Sequence, residues 1–216
     1  WSSDVCSSDL RPLPAGTLEE ASKGVIFSYN SPDGEDGFPG NVEVKVTCIL
    51  DDNNTLHLNY EAVSDQDTVM NLTNHSYFNL GADQILTVHA DRFLEIDSSS
   101  VIPTGKILDV SEDPVMDLRH GKNIEKEYPS MGCFDHCYIL NHEEPDVILE
   151  APSRGIIMEV RTGEPAVQIY SGNPVGVAIE TQMYPCAPNY PQFPSCVVRA
   201  GQIRNWTTQL KFLVKA

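Results

Sequence analysis

His75 gives this sequence a group that can move a proton near neutral pH. It lies in Asn71-Leu72-Thr73-Asn74-His75-Ser76-Tyr77-Phe78-Asn79-Leu80, a stretch without Gly or Pro. Taken with period two, the stretch reads as a strand with two faces. Leu72, Phe78 and Leu80 fall on one face, with Asn74 and Ser76 between them. Thr73, His75, Tyr77 and Asn79 fall on the other. Neutral donors and acceptors around one imidazole suit a hydroxyl-rich ligand. The simpler alternative is a buried histidine held in a hydrogen-bond network.

A second group able to move a proton is Glu180, in Val175-Gly176-Val177-Ala178-Ile179-Glu180-Thr181-Gln182. Val175, Val177 and Ile179 share one face of this strand; Gly176, Ala178 and Glu180 share the other. Two very small residues beside a carboxylate leave room for a ligand to approach the sheet. Low-dielectric surroundings there raise the carboxyl pKa towards that of a working general base. The alternative is a glutamate at a strand end facing water. Two further polar sets belong to strands: Asp135, within Phe134-Asp135-His136, and Gln168 with Tyr170. Cys133, His136, Cys137 and His142 invite a zinc reading. Their spacing matches no structural zinc pattern, and no metal site is expected.

Short β-rich segments must position these residues. Val42, Val44 and Val46 alternate with Glu43, Lys45 and Thr47. Leu56, Leu58 and Tyr60 continue the alternation after the turn at Asp51-Asp52-Asn53-Asn54, so Asn41 to Ala62 is predicted as a hairpin. Ser31 to Gly40 is dense in turn residues and reads as an ordered loop. Further strands are expected at 24–29, 85–90, 93–96, 106–109, 137–140, 147–151, 156–161, 166–170 and 206–214. The one helix candidate is near Asn123 to Glu127. Without βαβ alternation, the class is all-β, a large twisted antiparallel sandwich. Trp1 to Leu10 has no strand or helix period and reads as a non-native segment, leaving 11–216 as one domain.

The chain has 216 residues with a formal net charge of -17. That excess argues against nucleic-acid and anionic-membrane partners, which need Lys/Arg clusters. No apolar run approaches the roughly 20 residues of a membrane span. Six cysteines are too few for a disulfide scaffold, so reduced thiols and a cytoplasmic location are expected.

The stretch from Asn71 to Leu80 resembles the signature of the aldose 1-epimerases. The resemblance continues in order: Ser31-Pro32-Asp33-Gly34-Glu35-Asp36-Gly37-Phe38-Pro39-Gly40, Ile102-Pro103-Thr104-Gly105, Asp117-Leu118-Arg119, Phe134-Asp135-His136, Val167-Gln168-Ile169-Tyr170-Ser171-Gly172-Asn173, Glu180-Thr181-Gln182 and Pro188-Asn189-Tyr190-Pro191-Gln192-Phe193-Pro194. It covers Ser22 to the C-terminus. It implies a galactose mutarotase-like β-sandwich that interconverts α and β anomers of free hexoses such as galactose and glucose, without a cofactor. In that reading His75 is the general acid and Glu180 the general base. Asp135 and Gln168 hold sugar hydroxyls, and Ser76 and Tyr77 line the site. The partner is a small-molecule aldose, and the protein is expected to act as a monomer. Members of this family carry an earlier segment that supplies an Arg and a second His, and a longer loop before the Glu180 strand. The chain is therefore expected to be an N-terminally truncated, incomplete sandwich. Alternatives are a sugar-binding or structural fragment without turnover, a glycosidase using Asp135 and Glu180, and a hexose-6-phosphate epimerase, which would need a basic cluster for phosphate.

Overall fold

The computed structural model describes residues 17–21, 24–129 and 132–215. The segment 1–10 lies outside the described residues. Among the described residues seventeen strands run in chain order. The first six are β1 (Thr17–Ala21), β2 (Gly24–Ser31), β3 (Val42–Leu50), β4 (Thr55–Ser64), β5 (Thr68–Val69) and β6 (Tyr77–Phe78). The next six are β7 (Ile85–Val88), β8 (Arg92–Ile96), β9 (Pro103–Asp109), β10 (Lys122–Asn123), β11 (Asp135–Ile139) and β12 (Val147–Ala151). The last five are β13 (Ile156–Thr162), β14 (Ala166–Asn173), β15 (Gly176–Gln182), β16 (Val197–Val198) and β17 (Arg204–Val214).

They form a nine-stranded sheet in the order β1-β2-β3-β4-β17-β13-β12-β7-β10 and a six-stranded sheet in the order β6-β15-β14-β11-β8-β9. β16 and β5 make a separate ribbon. Every pairing is antiparallel. The predicted hairpin is present: β3 pairs β4 from Val42↔Ser64 to Leu50↔Leu56. Alternation explains its faces. Val42 and Val44 are buried while Glu43 and Lys45 are exposed, as a sheet with one face on the core requires.

The main core lies between the two large sheets. Leu86, Leu149, Met158 and Val160 enter it from the nine-stranded sheet, and Tyr138, Val167 and Ile169 from the six-stranded sheet. All seven are fully buried. Each such side chain contributes about 1.5–3 kcal/mol of transfer free energy. A second cluster, with Leu94, Ile139, Met183, Tyr184 and Phe193, covers part of the other face of the six-stranded sheet. The rest of that face is open and carries the polar residues discussed below.

Three expectations are corrected. The stretch from Asn71 to Leu80 is not a continuous strand; only Tyr77–Phe78 enters a ladder. Its asparagines bond backbone instead. Asn71 clamps Met183, accepting from its N–H at 2.9 Å and donating to its carbonyl at 3.2 Å. Asn74 accepts from the Ser76 N–H at 3.1 Å, and Asn79 donates to the Val175 carbonyl at 3.0 Å. Such side chains compete with ladder hydrogen bonds. The helix at Asn123 to Glu127 is instead β10 followed by one turn. In it the Lys126 and Glu127 N–H groups both donate to the Asn123 carbonyl, at 3.1 and 2.9 Å. A single turn does not overcome the cost of helix nucleation, and Pro129 drives residue 128 away from helical geometry. Finally, Cys186 is disulfide-bonded, so thiols are not reduced throughout; Cys48, Cys133, Cys137 and Cys196 are free.

Candidate active site

Strand register brings the polar residues together on the open face of the six-stranded sheet. Tyr77 pairs with Ala178, Ala178 with Tyr170, and Tyr170 with Asp135, one row across β6, β15, β14 and β11. Two positions along, Glu180 pairs with Gln168 and Gln168 with Cys137. Residues two apart on a strand share a face, so both rows line one surface. His75 has left the ladder, yet it sits two residues before Tyr77 and reaches the second row. Its Nε2 lies 3.4 Å from Glu180 Oε1.

A cavity of about 710 Å³ opens over these rows, with His75, Tyr77, Asp135, Gln168, Tyr170 and Glu180 in its wall. Five of the six residues singled out from sequence therefore meet around one space. Ser76 does not; it is exposed and is not part of the wall. Tyr170, weighed from sequence only as part of a polar strand face, belongs to the wall, and so does Cys137. Strand parity pointed to Tyr170, two residues from Gln168; Cys137 has no comparable signal. Glu35, from the turn-rich loop, also faces the cavity, its carboxylate accepting from Tyr29 Oη at 2.7 Å and Ser31 Oγ at 2.5 Å. Arg119 of the Asp117-Leu118-Arg119 stretch is absent from the wall; its guanidinium is held by Asp117 and Asp91, each at 2.8 Å.

The site is electrostatically uneven. The Glu180 side chain is only 4% exposed. Burial, helped by the Asp135 carboxylate, pushes its pKa up to about 8. Asp135 is raised as well, chiefly by burial; the Gln168 side-chain N–H, donating to Asp135 Oδ1 at 2.7 Å, and His75 oppose that rise. The Tyr170 phenol is raised, first by burial. Cys137 is pushed up by burial and remains a thiol. The site thus holds a carboxyl with high proton affinity next to an imidazole, plus a fixed carboxylate–amide pair able to hold hydroxyls. Among the described residues no group of three or more His, Cys, Asp or Glu is arranged to hold a metal ion.

Residues 17–211 match the family model for aldose 1-epimerase. The chain belongs to the aldose 1-epimerase family. It is 38% identical to the galactose mutarotase of Rattus norvegicus, over 92% of this chain and 65% of that protein. It is 34% identical to the aldose 1-epimerase of Haemophilus influenzae, over 87% of this chain and 64% of that one. The chain thus spans about 65% of the length of the curated relatives it matches. The crystal structure of the GalM/aldose epimerase homologue from C. elegans superposes with a TM-score of 0.84 at 26% identity, covering 93% of this chain and 69% of that one. The galactose 1-epimerase structure from Lactobacillus acidophilus gives 0.81 at 28% identity, covering 93% and 66%. The family's galactose mutarotase-like sandwich is the fold seen here.

Proposed function

We propose that this chain carries the acid/base pair of an aldose 1-epimerase and interconverts the anomers of free hexoses, galactose and glucose among them. The observation that carries this reading is the His75–Glu180 pair at 3.4 Å on the floor of the cavity. Opening a cyclic hemiacetal removes a proton from the C1 hydroxyl and delivers one to the ring oxygen. Both oxygens are bonded to C1, so acid and base must be close neighbours, as these are.

Glu180 takes the hydroxyl proton, the C1–O1 bond becomes a carbonyl, and the bond from C1 to the ring oxygen breaks. His75, as imidazolium, protonates that departing oxygen. After rotation about C1–C2, the ring hydroxyl attacks the other face of the carbonyl. His75 recovers its proton from the attacking oxygen, and Glu180 returns its own to the new C1 hydroxyl. Each proton transfer by a positioned group adds on the order of 100- to 10,000-fold. Only protons move, so the cycle calls for no redox or group-carrying cofactor. Asp135 and Gln168 hold sugar hydroxyls, and Tyr77 bounds the site beside His75.

The names of the relatives, galactose mutarotase and aldose 1-epimerase, support the reaction and the sugar class. A monomer acting in the cytoplasm, without nucleic-acid or membrane partners, belongs to the same proposal. The charge of -17 supports the lack of polyanionic partners. No helix among the described residues is long and apolar enough to cross a membrane. Polarimetry on freshly dissolved α-galactose tests the reaction. An accelerated approach to anomeric equilibrium is expected, with methyl α-galactoside, which has no free anomeric hydroxyl, left unchanged. Calorimetric galactose binding without any acceleration would replace this reading with that of a sugar-binding fold.

A further inference from the structure

His75 depends on its neighbours for position, because it is not in the ladder. The paired part of its strand begins at Tyr77, and among the described residues its ion-pair partner is Glu180. Two aromatic rings flank it. The Tyr77 ring centroid is 4.9 Å from that of the imidazole, tilted by 53°. The Tyr170 ring is 6.1 Å away and nearly edge-on at 67°, and the two tyrosine rings are 6.3 Å apart. Such separations and tilts are those of favourable aromatic pairs. Ala178 stands between Tyr77 and Tyr170 in the cross-strand row. A larger side chain there would part the rings.

Gly172 completes the arrangement. It follows Tyr170 by two residues, near the point where the β14–β15 register shifts between Tyr170 and Asn173. A Cβ at Gly172 would lie 2.8 Å from Tyr170 Oη and 2.9 Å from two of its ring carbons. The Tyr170 ring therefore lies back along its own strand over the glycine. This leaves it against His75 without filling the space above Glu180.

We propose that Tyr170 is a positioning residue for His75. With Tyr77 it forms an aromatic notch that fixes the imidazole over the Glu180 carboxyl, and Gly172 exists to let its ring lie in that place. The proposal rests on the acid/base reading above for its catalytic consequence, but not for its structural content. Glu180 and Asp135 are the acidic groups near His75 within the wall, so an imidazole released from the notch loses its place beside Glu180.

The test combines mutarotation kinetics with NMR of the His75 ring protons, assigned by their loss in His75→Asn, and of their NOEs to the Tyr77 ring, in wild type, Tyr170→Phe, Tyr170→Ala and Gly172→Ala. Tyr170→Phe keeps the ring and is expected to stay within about twofold of wild-type kcat. Tyr170→Ala is expected to lose about tenfold or more in kcat with KM changed by less than about threefold, and to weaken the NOEs between the His75 and Tyr77 rings. Gly172→Ala is expected to move in the same direction while keeping the phenol. Equal losses in Tyr170→Phe and Tyr170→Ala would overturn the proposal in favour of a working hydroxyl. A loss confined to KM would make Tyr170 a sugar contact instead. Unchanged His75–Tyr77 NOEs in Tyr170→Ala would also overturn it. If wild type has no turnover, weakened His75–Tyr77 NOEs in Tyr170→Ala uphold the notch while the catalytic reading fails.

Discussion

Glu180 concentrates the conflict between stability and chemistry in one residue. Its pKa rises from an ordinary 4.5 to about 8 because burial penalises its charge. A carboxyl raised in the folded state contributes stability that is complete below pH 4.5 and is lost as pH climbs through about 8. Glutamine resembles the protonated carboxyl and cannot ionise. Glu180→Gln is therefore expected to abolish most turnover yet to gain stability over wild type as pH rises. The difference should reach on the order of a few kcal/mol by pH 9. Thermal melts of both proteins from pH 4.5 to 9 read this directly. A Tm difference that stays flat across that range contradicts the raised pKa. Sequence made Glu180 visible through parity, since it shares a face with Gly176 and Ala178. It also made Gln168 and Asp135 visible as polar residues on strands. Ser76 stays outside the cavity wall because the stretch around it is not a strand, so being next to His75 does not carry it there.

At the scale of elements, the short strand β6 decides whether the site assembles. It is two residues long and pairs only with β15. Gly176 permits the pairing: a Cβ there would lie 2.4 Å from the Phe78 carbonyl oxygen and 2.8 Å from its carbon. Those are backbone atoms, so β6 itself must move. Gly176→Ala is expected to cost about 1–3 kcal/mol of stability and to lower kcat by about tenfold or more through displacement of Tyr77 and His75. Denaturant melts and initial mutarotation rates check both; wild-type activity with lowered stability would show that β6 does not position the acid. The long strands were legible because β3 and β4 alternate cleanly between Val or Leu and charged residues. The stretch at 71–76 was not, because its period of two matches a strand while Asn71 and Asn74 use their side chains on backbone groups. Nor could sequence supply the rows themselves. Asp135 and Gln168 are 33 residues apart, and their contact is set by β11–β14 register, a property of the assembled sheet.

For the whole molecule, Arg204 joins the two large sheets' dependents. It donates to the Met70 carbonyl at 2.5 Å, pairs with the buried Glu164 at 2.9 Å, and lies 4.9 Å from the Trp206 ring. Trp206 in turn stacks on Tyr60 at 5.1 Å. The stretch that carries His75 starts one residue after Met70, so this cluster on β17 anchors the candidate site to the nine-stranded sheet. Arg204→Ala strips the cation from a carboxylate that is 7% exposed and should cost about 3–5 kcal/mol. Urea melts measure it; a loss below about 1 kcal/mol would mean Glu164 finds water or another donor.

The central claim is that His75 and Glu180 together open and close a sugar ring. Polarimetry of freshly dissolved α-galactose with wild type, His75→Ala and Glu180→Ala tests it most directly. The expected result is a wild-type rate well above buffer that falls about 100-fold or more in each variant. A wild-type rate equal to buffer, or one unchanged in either variant, would contradict the claim.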